Sequence, residues 1–153
     1  MAKTIHLIVV GKLKDSSLEA VESDYLKRIN NPDLQIHEVK ATAENKNAEG
    51  EAILKKIRDL SQGSPSHIIC MTEWGKRSTS VAFAAWCRDL FERQNRVFFV
   101  IAGAEGFSDE VLNLCQERIS LSELTFPHKL ARILLVEQLY RSQTIRTGHP
   151  YHN

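Results

Sequence analysis

Four stretches of the chain carry side chains that could do chemistry together. In "SELTFPH" the hydroxyls of Ser122 and Thr125 stand beside Pro127, which fixes its own φ and biases Phe126 towards an extended backbone. Such a stiff segment, with backbone amides and carbonyls on offer, suits the edge of a heterocycle and a sugar; an ordinary helix entrance suits it equally. Further on, Glu137 and Arg141 lie four apart in the favourable order. They form either a surface ion pair worth about 0.3–0.5 kcal/mol or two groups facing one reaction site. The chain ends "RTGHPYHN", and two histidines, a tyrosine and a proline so close together suggest a docked tail. His149 and His152 lack the neighbouring carboxylate or cysteine that a metal site needs, so Tyr151 stacking on a base, with His152 near a phosphate or a titrating group, is the sharper reading. Finally, Gly103 and Gly106 in "AGAEGF" allow close backbone approach to a ligand. The spacing is not that of a dinucleotide loop, and Glu105 would repel a phosphate.

The elements that must position these groups follow from hydrophobic period and punctuation. "TIHLIVVG", "LQIHEV", "SHIICMTE" and "RVFFVIAG" read as strands. Helices are expected from about Ser16, capped by Asp15 or Ser16, with Leu18, Val21, Leu26 and Ile29 facing inward, and from Ala48 to Leu60 with Ile53, Ile57 and Leu60 on one side. A third runs over Ser80–Arg93, a fourth is opened by Ser108, and a long one runs from Lys129 to about Ile145. "WGKRSTS" reads as a loop, and "ISLSELTFPH" has room for one edge element. Strands alternating with helices predict an α/β fold, a parallel-rich sheet with helices on both faces. Ligands of such sheets bind at the strands' carboxyl ends, here the loops "MTEWGK", "AGAEGFS" and "LSELTFPH". The last helix carries an apolar surface wider than one stripe, from Ile133 to Tyr140, which a second chain could help to cover.

At 153 residues, 42% of them hydrophobic, one domain spanning 1–153 with its own core is expected. No run approaches the roughly 18 apolar residues of a membrane span, and a cytoplasmic protein is the natural reading. Three cysteines, Cys70, Cys87 and Cys115, sit far apart among apolar residues and read as reduced core thiols. The net charge of +1 excludes a strongly basic nucleic-acid binder, but its distribution is uneven. Residues 125–153 hold Lys129, Arg132, Arg141 and Arg146 against Glu137, whereas residues 1–124 hold 16 basic and 18 acidic groups. That predicts a basic edge at the C-terminal end, either a solvated face or a phosphate contact.

Taken together, "VVGKLK", "IICMTEWGK", "IAGAEGFS", "LSELTFPHKLARILLVEQLYR" and the terminal "PYH" resemble the SPOUT-class RlmH methyltransferases over essentially the whole chain. The resemblance implies a C-terminal trefoil knot and a homodimer with the final helix at the interface and the tail completing the partner's site. It also implies transfer of a methyl group from S-adenosylmethionine to N3 of a pseudouridine in 23S ribosomal RNA, on the RNA or the assembled ribosome, with no metal and no membrane partner. The cofactor pocket then falls on Met71, Gly103, Ser122, Glu123, Leu124, Thr125, Phe126 and Pro127. Glu137 or His152 would accept the proton, and Arg141 and Tyr151 would orient the nucleotide. The chain departs from the family pattern at Ala102, where glycine is common, and at Asn153, where a basic residue often follows "PYH". These departures leave a non-catalytic RNA-binding dimer, or methylation of another RNA nucleotide, as alternatives.

Overall fold

The computed structural model describes residues 1–153. In chain order the elements are β1 (Thr4–Val10), α1 (Ser16–Arg28), β2 (Asp33–Val39), α2 (Lys46–Ser61), β3 (His67–Lys76), α3 (Ser80–Arg93), β4 (Val97–Ile101), α4 (Asp109–Leu114), β5 (Glu117–Ile119) and α5 (His128–Thr147). All strand pairs are parallel and the sheet order is β2-β1-β4-β3-β5. A parallel strand is buried on both faces, which is why β1 and β4 are nearly uninterrupted β-branched and aromatic runs. Alternate side chains divide between two layers. Leu7, Val9, Ile69, Phe99 and Ile101 pack with Leu90, Leu135 and Leu139 of α3 and α5. Ile8, Val10, Ile68, Phe98 and Val100 pack with Ile53, Leu54 and Val111 of α2 and α4. The expected α/β sheet with helices on both faces is therefore observed. Phe98 and Phe99, fully buried on opposite faces, each contribute about 1.5–3 kcal/mol of burial.

Side-chain caps start the first four helices. Asp15, Asn45, Thr79 and Ser108 accept from the backbone N–H groups of Leu18, Ala48, Ala82 and Val111. α5 starts at Pro127 without a side-chain cap and ends at Gly148, whose φ of +77° is the left-handed closure that glycine permits. All three cysteines are free thiols. Burial pushes Cys87 up to about 12, so it is an inert core thiol.

Two expectations need correction. Val21 is 44% exposed, and Glu22 takes the inward place beside it because Arg132 of α5 is there to pair with it. β3 continues through Trp74–Lys76, residues expected in a loop, because β5 supplies a second partner after β4 has parted from it.

Candidate active site: a cleft and a tail cluster

β3 and β4 run together only as far as the pair Cys70–Val100. Beyond it β3 leans towards β5 through an irregular stretch in which both Met71 and Lys76 face Ile119. The approach is close: a Cβ on Gly75 would lie 2.7 Å from the backbone of Arg118 and Ile119. Between the parted strand ends lies a cleft of about 630 Å³, within the usual range for a small-molecule site. Its walls come from residues 71–74 of β3, the β4–α4 loop from Ile101 to Phe107, and the segment from Thr125 to the first turn of α5. Phe126 and Met71 also line a smaller recess of about 60 Å³ that reaches Ser122 and Leu124.

Several contacts shape the cleft. Ser120 Oγ lies within hydrogen-bonding distance of the carbonyls of Glu73 (3.1 Å) and Ser122 (2.8 Å), tying the 122–127 segment to β3. Ser122 Oγ accepts from Leu124 N at 3.0 Å, and Thr125 Oγ1 donates to Glu73 Oε1 at 3.4 Å. Thr72 Oγ1, buried on the wall, has no partner. Behind Gly103 sits the buried Glu49, which accepts from Thr42 N while its other oxygen has no partner. A Cβ on Gly103 would come to 3.0 Å from that oxygen and 3.2 Å from Val10, so any larger residue there presses on the Glu49 side chain.

The second group lies further along α5. Glu137 Oε1 accepts from Arg141 Nε (2.9 Å) and Nη2 (2.7 Å) and from the Tyr151 hydroxyl (3.2 Å), and its Oε2 accepts from Gln138 Nε2 (2.8 Å). Arg141 Nη1 is 3.0 Å from His152 Nδ1. Because arginine can only donate, Nδ1 is the unprotonated ring nitrogen in this arrangement. The tail is held by its aromatic ring too: Tyr151 packs edge-on against Tyr140 with centroids 4.8 Å apart, lies under the Arg141 guanidinium, and meets Tyr25 OH of α1 at 3.2 Å. Burial, then the Tyr25 bond and the Glu137 charge, raise Tyr151 well above the ordinary tyrosine range, so its hydroxyl stays protonated and able to donate.

Of the residues singled out from sequence, Met71, Gly103, Thr125, Phe126 and Pro127 line the main cleft, and Ser122 and Leu124 line the recess beside it. Glu123 lines neither and pairs with Arg77 at 3.2 Å on the exposed side of the loop. Glu137, Arg141, Tyr151 and His152 meet in one cluster, and none of them lines the cleft of their own chain. Sequence reading missed Thr72, Glu73, Ser120 and Tyr25. Thr72 and Glu73 adjoin Met71 in a quoted motif, whereas Tyr25 is 126 residues from its partner and leaves no local signal.

The match to known proteins covers the whole unit. The model of the predicted SPOUT methyltransferases matches residues 3–152. The chain belongs to the SPOUT methyltransferase family. A relative from Listeria monocytogenes, named ribosomal RNA large subunit methyltransferase H, is 40% identical over 161 aligned positions, covering 97% of this chain and 98% of the relative. Relatives of the same name from Coprothermobacter proteolyticus and Bacteroides fragilis are 39% and 33% identical, covering 97% and 96% of this chain and 98% and 97% of their own. Among solved structures, a probable methylase family protein from Haemophilus influenzae superposes with a TM-score of 0.58 at 12% identity, covering 97% of this chain and 70% of that one. The SpoU methyltransferase AviRb from Streptomyces viridochromogenes, solved with AdoMet, does so at 0.54 and 10%, covering 94% and 59%. At these identities the two structures speak for a shared SPOUT fold.

Proposed function

We propose that this SPOUT methyltransferase uses S-adenosylmethionine to methylate large-subunit ribosomal RNA, at N3 of a pseudouridine, in the cytoplasm. The observation that carries the reading is the near end-to-end agreement with relatives named for ribosomal RNA methylation, in a chain whose parted strands open a cofactor-sized cleft. When bound, the cofactor supplies an electrophilic methyl group on a sulfonium. The cleft fits it. Met71 and Phe126 offer apolar walls, the loop at Gly103 offers close backbone, and the hydroxyl of Thr72 is free to take a ligand atom. Glu73 places a carboxylate on the wall where a cation is favoured. Ser122, Leu124, Thr125 and Pro127 complete the surround, while Glu123 braces the loop through Arg77.

The tail cluster is the acceptor side. Glu137 is engaged by four donor contacts and so fixes Arg141 and Tyr151 in place. Arg141 and the remaining ring N–H of His152 are suited to hold a phosphate or a base oxygen, and His152 accepts a proton at Nδ1 only when Arg141 lets go of that nitrogen. Otherwise the N3 proton of the pseudouridine leaves to solvent. Since the cluster does not line its own chain's cleft, the two halves meet across a homodimer, with α5 and the knotted crossing at its centre. In support, Leu130 and Leu134 stand one turn apart on α5 at 45% and 39% exposure, with Glu137 next along that helix.

The test is transfer of labelled methyl groups to ribosomes from cells lacking this protein, with cofactor affinity measured by calorimetry. Transfer with the label mapped to one pseudouridine is expected. Cofactor binding without transfer would favour the non-catalytic RNA-binding dimer, and label at another base would move the target. Light scattering should give a dimer, converted to monomers by Leu134→Lys.

A further inference from the structure

The C-terminal cations that suggest a basic edge are largely occupied within the fold. Arg132 is held between Glu22 and Glu38, Arg141 is held on Glu137, and Arg146 lies over the Phe91 ring. Three cations without an acidic partner meet at the opposite end of the sheet. Lys3, Arg93 and Arg96 line a groove of about 670 Å³ at the amino ends of β1 and β4, and its lining contains no aspartate or glutamate. None of the three forms an ion pair. Parallel pairing of Ile5 with Val97 sets the starts of the two strands side by side, about 5 Å apart, which brings Lys3 and Arg96 together; Arg93 joins them from the last turn of α3.

The rest of the groove is polar. Thr4, Gln35, Ser64, Gln94 and Asn95 contribute donors and acceptors, and Met1 and Leu60 are its two hydrophobic residues. His6 on its wall stacks on Phe98 and is lowered to about 4 by burial, then by His37, then by the charge of Arg96. Its ring is neutral near pH 7 and adds no charge of its own to the groove. A protein partner with an acidic face would still need a cluster of apolar or aromatic anchors, and this groove offers only Met1 and Leu60. A phosphodiester chain needs cations and hydrogen-bonding groups without a hydrophobic centre, and arginine forks suit phosphate oxygens.

We propose that this groove binds the phosphodiester backbone of ribosomal RNA, giving the protein a second RNA contact at the end of the sheet opposite the Met71–Gly103 cleft. The assignment rests on ribosomal RNA being the substrate, and it names a surface that the methyl-transfer chemistry does not require. Three contacts on single-stranded RNA would contribute about 2 to the slope of log affinity against log salt.

The probe is a fluorescein-labelled single-stranded RNA of about 20 nucleotides, titrated with the dimer at several salt concentrations in the absence of cofactor. Replacing Lys3, Arg93 and Arg96 together with glutamine is expected to lower the slope by about 2 and weaken binding about a hundredfold at 0.1 M salt, the two curves converging near 1 M. The charge-preserving pair Arg93→Lys and Arg96→Lys keeps most of the slope, and cofactor affinity is unchanged in both variants. An unchanged slope in the glutamine variant would overturn the proposal. So would an equal loss in a control that replaces the exposed Lys14, Lys27 and Lys46 with glutamine, since net charge alone would then explain it. Displacement of the RNA by poly-glutamate of matched charge at equal concentration would assign the groove to an acidic protein instead. Because RNA binding is read without methyl transfer, failure of the methyltransferase reading would appear separately, as intact RNA binding with no label transferred.

Discussion

Tyr151→Phe isolates what the tail contributes. The substitution keeps the ring, hence the edge-on contact with Tyr140 and the guanidinium of Arg141 above it, and removes only the hydroxyl. That hydroxyl makes two bonds, to Glu137 Oε1 and to Tyr25 OH, both at 3.2 Å and so longer than the commonest O–H···O distance. Long bonds fall in the lower half of the usual net range, so their joint loss costs about 1–2 kcal/mol, or about 5–30-fold in the tail-docking equilibrium. Glu137 keeps Arg141 and Gln138, so the rest of the cluster stands. Single-turnover methyl transfer is expected to slow by up to this factor, and amide exchange over residues 149–153 to accelerate by a similar one. Cofactor affinity should stay within about twofold, because the hydroxyl touches nothing in the cleft. Because the Tyr151 pKa is raised, the protonated hydroxyl and its docking contribution persist at and below the ordinary tyrosine value and are lost only as pH climbs well above it. A transfer rate equal to that of the parent protein, or a parallel fall in cofactor affinity, would refute the reasoning.

Arg132→Met should lower stability by about 3–5 kcal/mol in urea unfolding, because it strands Glu22 at 9% side-chain exposure and frees Glu38. Adding Glu22→Met should recover most of the loss; no recovery would mean that the ion triad is not the cause. Gly75→Ala forces a Cβ against the backbone of β5 and should cost about 1–3 kcal/mol in the same assay, whereas an unchanged midpoint would show that the irregular strand yields freely. Burial, then His37 and Arg96, lower His6 from the ordinary histidine value of 6.5 to about 4, so the stability that goes with its neutral ring is present above about 6.5 and is lost as pH falls from there to 4. His6→Gln should therefore shrink the difference in urea midpoint between pH 7 and pH 4.5, and an equal difference in both proteins would count against the buried neutral ring.

Most strands and helices were legible because they are specified locally: β-branched runs for strands buried on both sides, and Asp15 and Ser108 as caps; the short β5, Glu117–Ile119, begins ahead of the stretch expected to hold an edge element. The cleft loop was legible through the stiff Phe126–Pro127 pair and the motifs around it. What escaped depends on chain partners far apart in sequence. Glu22 looks like a surface residue until α5 brings Arg132 to it, 110 positions away. A charge count placed the basic surface at the C-terminal end because it cannot see that Arg132 and Arg141 are already paired. Nor can it see that strand pairing assembles Lys3, Arg93 and Arg96 into one groove. The separation of the tail cluster from its own chain's cleft is likewise a property of the packed helix α5 and of no single motif.

That separation makes subunit exchange the most direct measurement. Two homodimers are prepared, one blocked at the cleft by Gly103→Trp and one disabled at the tail by Tyr151→Ala, each inactive in methyl transfer to unmodified ribosomes. If the cleft of one protomer works with the tail of the other, each exchanged heterodimer holds one intact site, and random mixing should restore about a quarter of the parent activity. Activity that stays at background although exchange is complete would contradict a site shared between protomers.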